Sequence, residues 1–198
     1  MANIALYPGG YKPPHIGHYK AAKKALEKGA NKVIVFVGPK EREGITQDMS
    51  ITLWKLYTQN DPIEIRPAGV SPVRDVYDFV ELEAEDGDTL LFIKGIKDAK
   101  DSRFDRIPDY ATKFNKNIDK DFIDVEDIKS RTGKEMSGRL MRTYIKNEDK
   151  RSFIDGLPEG IDGEAAWSIV TGLDEDLYES GADGSWEDTS WEDEYGKI

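Results

Sequence analysis

Val33-Ile34-Val35-Phe36-Val37 is an apolar run with no polar interruption, preceded by Lys32 and closed by Gly38-Pro39. A strand that is apolar at every residue must be buried on both faces, which happens in parallel sheets covered by helices on each side. The neighbouring segments fit such a sheet. Ile4-Ala5-Leu6-Tyr7 is a second apolar run, and a helical pattern follows from Tyr19 to Lys28. A polar loop from Gly38 to Gln47 leads to a helix near Asp48 to Gln59, and Ile63-Glu64-Ile65 is a short strand. Ser71-Pro72 reads as an N-cap followed by proline at the first helical position, with Val73, Val76, Tyr77 and Val80 marking the buried side of a helix to about Glu83. Asp86-Gly87-Asp88 turns into the strand Thr89 to Ile93, and Phe122 to Val125 is the last strand before a helix opened by Ser137. Repeated βα units with right-handed crossovers predict an α/β fold, a doubly wound and mostly parallel sheet with its ligand at the carboxyl ends of the strands.

Charge divides the chain unevenly. The 198 residues carry a net charge of -11, but from Asp155 to Ile198 there are 14 Asp/Glu against one Lys, which leaves 25 acidic and 27 basic residues in 1–154. The core is therefore slightly basic, which suits a polyphosphate ligand, and the acidic end argues against nucleic acid as a partner. The absence of cysteine removes disulfide and thiol chemistry and fits a reducing compartment. A strand follows Met1-Ala2-Asn3 at once, with no signal peptide ahead of it, and no apolar run approaches membrane length. The expectation is a cytoplasmic protein without a membrane partner.

Two regions are expected: a domain over 1–150 and an acidic, largely helical or irregular C-terminal extension over 151–198. The extension contains Trp167 in a short helical stretch, Ala165 to Val170, and an approximate repeat, Ser185-Trp186-Glu187-Asp188 and Ser190-Trp191-Glu192-Asp193. Acidic residues interleaved with aromatics dock onto surfaces, so the extension is expected to meet a neighbouring subunit in a homo-oligomer, or the basic rim of the pocket. The charged run from Lys97 to Lys120 reads as a surface excursion or as a lid.

Both histidines lie in Gly9-Gly10-Tyr11-Lys12-Pro13-Pro14-His15-Ile16-Gly17-His18, directly after the first strand. Glycines open the turn, the prolines stiffen it, and Gly17 lets a ligand approach the first turn of the helix. His15 and His18 are three residues apart, so a helix beginning near Gly17 turns both toward one pocket, beside N-terminal amides that favour an anion. Such a site suits phosphoryl or nucleotidyl transfer, where catalysis is mainly positioning and electrostatics. Capping histidines are the plainer reading, and metal ligation a third. No cysteine is present and no carboxylate lies in the motif, so a metal site would need distant ligands, and none is assigned to protein side chains.

This stretch resembles the His-x-Gly-His nucleotidylyltransferase superfamily, whose members carry a Gly-x-x-x-x-Pro-x-His-x-Gly-His loop after the first strand. A second superfamily signature, Ser-Ser/Gly-Thr-x-x-Arg at the start of a late helix, is similar to Met136-Ser137-Gly138-Arg139-Leu140-Met141-Arg142, with Arg139 in place of the usual hydroxyl residue. The resemblance implies a Rossmann-like fold, distantly related to class I aminoacyl-tRNA synthetase catalytic domains, and transfer of a nucleoside monophosphate unit from ATP or CTP to a phosphorylated small molecule, with Mg²⁺ and release of pyrophosphate. Nicotinamide mononucleotide is the first acceptor expected. By the same resemblance His15, His18, Lys12 and Arg142 are the catalytic residues, and Tyr7, Gly9, Gly10, Tyr11, Gly17, Lys94, Gly95, Ser137, Gly138 and Arg139 border the nucleotide, with Asp98 nearby. Lys40 and Arg42, in the loop after the second strand, are candidates for the acceptor's phosphate. The contrasting reading is a nucleotide-binding or scaffolding module without turnover, whose acidic tail recruits a partner.

Overall fold

In the computed structural model, residues 1–95, 102–125, 129–130 and 132–172 are described. Five parallel strands form one sheet in the order β3-β2-β1-β4-β5: β1 Asn3–Gly9, β2 Lys32–Val37, β3 Ile63–Pro67, β4 Thr89–Gly95 and β5 Asp119–Val125. The chain winds outward from β1 to β3, returns across the sheet to β4 and continues to β5. Its direction reverses between β1 and β4, the position where doubly wound sheets bind ligand.

Helices α1 Ile16–Glu27, α2 Gln47–Tyr57 and α3 Pro72–Leu82 connect the strands, α4 Ile107–Thr112 precedes β5, and α5 Gly138–Lys146, α6 Lys150–Asp155 and α7 Gly163–Thr171 follow it. One apolar cluster, beneath α1, α2 and α5 to α7, joins Ala5, Val35, Trp54, Met141, Phe153 and Trp167. The other joins Leu6, Ile34, Phe92, Val76 and Ile107 beneath α3 and α4. Val33 to Val37 feed the two clusters alternately, and all five are buried, as the uninterrupted run requires.

Each interior helix begins on a side-chain cap: His15 on α1, Thr46 on α2, Ser71 on α3 and Ser137 on α5. β5 starts at Asp119, ahead of the expected Phe122, because Asp119, Asp121 and Asp124 lie on an exposed edge where charge hides the strand pattern. The described part of the charged run is no lid over the histidine face. Phe104, Ile107, Ala111 and Ile118 are buried in the α3 cluster, and Lys116 Nζ donates to the carbonyls of Val80 and Glu81 near the end of α3. Phe153, Leu157, Ala166, Trp167 and Val170 place α6 and α7 in the same core as the histidine loop, with α7 against α2 and α6. Asp98 and the Trp186 and Trp191 repeat lie outside the described residues. Among the described residues, no helix is long and apolar enough to cross a membrane.

Candidate nucleotide site

The β1–α1 loop is held from four directions. Lys12 Nζ donates to the carbonyls of Gly10 at 2.7 Å and Gly38 at 2.8 Å, and Gly38 N–H returns to Gly9 O at 2.8 Å, tying the ends of β1 and β2 together. Tyr57 Oη donates to Pro14 O at 3.2 Å, and Ile16 N–H donates to Gly156 O at 2.9 Å. The Lys12–Pro13 peptide is cis. Tyr11 adopts a left-handed backbone at φ 52°, and its ring crosses Gly9 so closely that a Cβ there would stand 2.6 Å from it. Gly9 is thus fixed by Tyr11, whereas the Cβ direction of Gly10 is open.

His15 is the N-cap of α1. Its Nδ1 accepts from Gly17 N–H at 3.1 Å, and His18 Nδ1 accepts from His15 N–H at 3.2 Å, a reciprocal capping box built from two imidazoles. A ring nitrogen that accepts carries no proton, so both neutral rings hold theirs on Nε2. Neither Nε2 has a hydrogen-bond partner among the described residues, so both Nε2–H groups are available to a ligand. The rings lie 3.9 Å apart between centroids. Capping and ligand binding are therefore compatible roles for this pair: Nδ1 serves the helix, and Nε2 is left without a partner among the described residues.

Burial keeps both rings neutral. It pushes His15 down to about 4, and it holds His18 well below the ordinary imidazole value, with His15 adding to the effect. Burial, and then Arg42, bring the Lys12 ammonium down to about 8, so it stays charged at neutral pH with one proton beyond its two carbonyl bonds. The α1 amides of Ile16 and Gly17 are already occupied by Gly156 O and His15 Nδ1. The anion-favouring donors here are accordingly side-chain groups rather than the start of α1.

The second motif meets the first through Arg142. Its Nη1 donates to Lys12 O at 2.6 Å and its Nε to Glu43 Oε1 at 2.9 Å. Gly138 makes this approach feasible, since a Cβ there would lie 3.1 Å from Lys12 O and 3.4 Å from Arg142 Nη1. Ser137 Oγ accepts from Leu140 N–H at 3.1 Å, so its hydroxyl is a helix cap, and Arg139 is exposed beside it. The fold thus gathers Lys12, His15, His18, Gly138 and Arg142 at one end of the sheet. Lys94 is placed differently: it follows Phe92 by two residues on the α3 face, with its ammonium 3.6 Å from the centroid of Phe122, on the opposite side of the sheet from the histidines. Gly95 ends β4, and Tyr7 packs against the histidine-side cluster.

Lys40 and Arg42 are exposed in the loop after β2, where a tight turn pairs Arg42 with Ile45. The tip of that turn supplies Glu43, at φ 49° before Gly44 at φ 82°. Sequence reading passed over Glu43, because a glutamate in a charged loop carries no signal until the fold sets it against Arg142. Tyr57 and the Gly156 carbonyl were equally silent, since their contacts with the loop span 43 residues or more. Among the described residues, no three His, Asp or Glu side chains come together as a metal site.

Residues 6–52 match the family model described as Cytidylyltransferase-like, which is part of the HxGH nucleotidylyltransferase superfamily. The matched segment runs from β1 through the histidine loop into α2, and it supports nucleotidyltransferase activity in general. No curated protein matches the chain.

Proposed function

We propose that the protein transfers a nucleoside monophosphate unit from ATP or CTP to a phosphorylated small molecule and releases pyrophosphate, with nicotinamide mononucleotide as the first acceptor to test. A phosphate oxygen of the acceptor attacks the α-phosphorus, the bond to the bridging oxygen of the β-phosphate breaks, and pyrophosphate leaves with that electron pair. The carrying observation is the pair of open, neutral Nε2–H donors on a tied-down loop, adjoining the Lys12 and Arg142 cations.

The imidazoles stabilise charge on the non-bridging oxygens as it develops. Donors fixed before reaction need no rearrangement in the transition state, which is where such stabilisation is most effective. Lys12 contributes its remaining proton, and Arg142 exchanges Glu43 for the departing pyrophosphate. The first-turn amides of Gly138 and Arg139 add neutral donors at the start of α5. Mg²⁺ bound to the triphosphate would neutralise its charge, with Glu43 and the Arg42 loop at its edge.

The test is pyrophosphate release with Mg²⁺, running ATP and CTP separately against a panel of phosphorylated acceptors. Release requiring one nucleotide and one acceptor supports the transferase and identifies its substrates. Nucleotide binding with no release against any acceptor favours a binding module.

A further inference from the structure

Tyr11 is the one aromatic side chain in the histidine loop, and it does not point outward. Tyr11 is 6% exposed, and its ring meets three others edge to face: Tyr7 at 5.3 Å, Trp54 at 5.3 Å and His18 at 5.0 Å, the last at 88° between planes. Its hydroxyl donates to Tyr7 O at 2.8 Å, which pins the ring against β1. The backbone beneath it holds φ 52°, a conformation uncommon for a residue with a side chain, and Gly9 is vacated to admit the ring. Backbone strain, a glycine and a buried hydroxyl therefore converge on the position of a single ring.

That ring sets one wall for His18. His15 lies along one face of the His18 imidazole at 3.9 Å, and Tyr11 stands perpendicular to it. Among the described residues the His18 ring has one hydrogen bond, the 3.2 Å contact from His15 N–H, at the long end of the ordinary range, so the packed rings add to its restraint. We infer that Tyr11 is a positioning residue for nucleotidyl transfer: it does not touch the nucleotide but fixes the rotamer of His18, so that Nδ1 stays on the helix cap and Nε2–H stays aimed at the phosphates. Among the described residues, the rings that meet the His18 imidazole are His15 and Tyr11, with Tyr7 and Trp54 against the Tyr11 ring. This inference rests on the transferase reading for its kinetic consequence but not for its structural one.

The two are separated by ¹⁵N NMR of the imidazoles in the full-length protein, alongside turnover. In the wild type, His18 is expected to show a protonated Nε2 and an accepting Nδ1 from pH 5.5 to 8. Tyr11→Leu removes the wall and is expected to mix the two tautomers of His18 and lower kcat at least tenfold, with the KM for nucleotide within threefold. Tyr11→Phe, which keeps the ring, restores the wild-type ring signals and most of the turnover. Gly9→Ala, which forces a methyl into the Tyr11 ring, reproduces the Leu variant by a different route and covers the case in which that variant does not fold. Wild-type His18 signals in both Tyr11→Leu and Gly9→Ala would overturn the inference. So would a KM rise without a change in kcat, which would make Tyr11 a nucleotide contact. Perturbed ring signals in a protein with no transferase activity would uphold the positioning role and remove the transferase reading instead.

Discussion

The two motifs that meet at the site are built to different standards of rigidity. In the β1–α1 loop, Tyr11, Lys12 and His15 are each buried and each tied to a backbone partner. At the start of α5, Ser137 and Arg139 are exposed, and Arg142, its side chain 11% exposed, reaches across to one carbonyl and one exposed carboxylate. Rigid donors suit the reacting phosphate, where displacement of about 1 Å is costly, whereas adjustable cations suit a leaving group that must depart. The contrast predicts that changes in the loop act mainly on kcat and changes on α5 mainly on KM.

The largest effect tests the rigid side. His18→Ala should lower kcat about a hundredfold or more, the scale of losing one preorganised donor, with nucleotide KM nearly unchanged; steady-state kinetics would break the contrast if the loss fell on KM. Acid stability comes next. The His15 value falls from 6.5 unfolded to about 4 folded, so between these limits the unfolded chain binds more protons and folding weakens as pH drops. About 3 kcal/mol should be lost from this group between pH 6.5 and 4, with His18 acting in the same direction. Denaturant melts across that range should show the loss, and His15→Asn, which keeps a capping acceptor, should remove His15's share.

On the adjustable side the expected effects are smaller. Arg142→Ala should raise nucleotide KM about tenfold, in keeping with one charged hydrogen bond, and a loss confined to kcat would place Arg142 with the rigid group instead. Glu43→Gln should lower KM by less than about fivefold, because the Glu43 carboxylate is 63% exposed and a pair screened by water on that side is worth about 1 kcal/mol. A rise in KM for that variant would mean that Glu43 orients Arg142 rather than competing for it.

The same contrast governs what the sequence reveals. The sheet was legible because buried parallel strands are apolar throughout and Ser71-Pro72 announces α3 in two residues, while edge strand β5 was cut short by its aspartates. The histidine spacing pointed to a shared pocket, but the capping box and the Nε2–H tautomers it imposes depend on ring orientation, which spacing does not encode. It also could not reveal that Ile16 and Gly17 amides are occupied, because one partner, Gly156, arrives from a helix pair 140 residues away. Lys94 was read as bordering the nucleotide on its position at the end of β4; strand alternation carries its side chain to Phe122 on the α3 face.

The most direct test of the account is kcat for pyrophosphate release from pH 5 to 8 at saturating nucleotide, Mg²⁺ and acceptor. Histidines that act as neutral donors, with ionisation displaced far below 6.5, predict that neither imidazole contributes a limb over that range: a fall toward pH 8 follows Lys12, brought down to about 8, and an acid fall follows the acceptor's phosphate, which takes up a proton at about pH 6 and does so equally in His18→Asn. An acid limb centred near the ordinary imidazole value that disappears in His18→Asn would contradict it, because His18 would then act by transferring a proton.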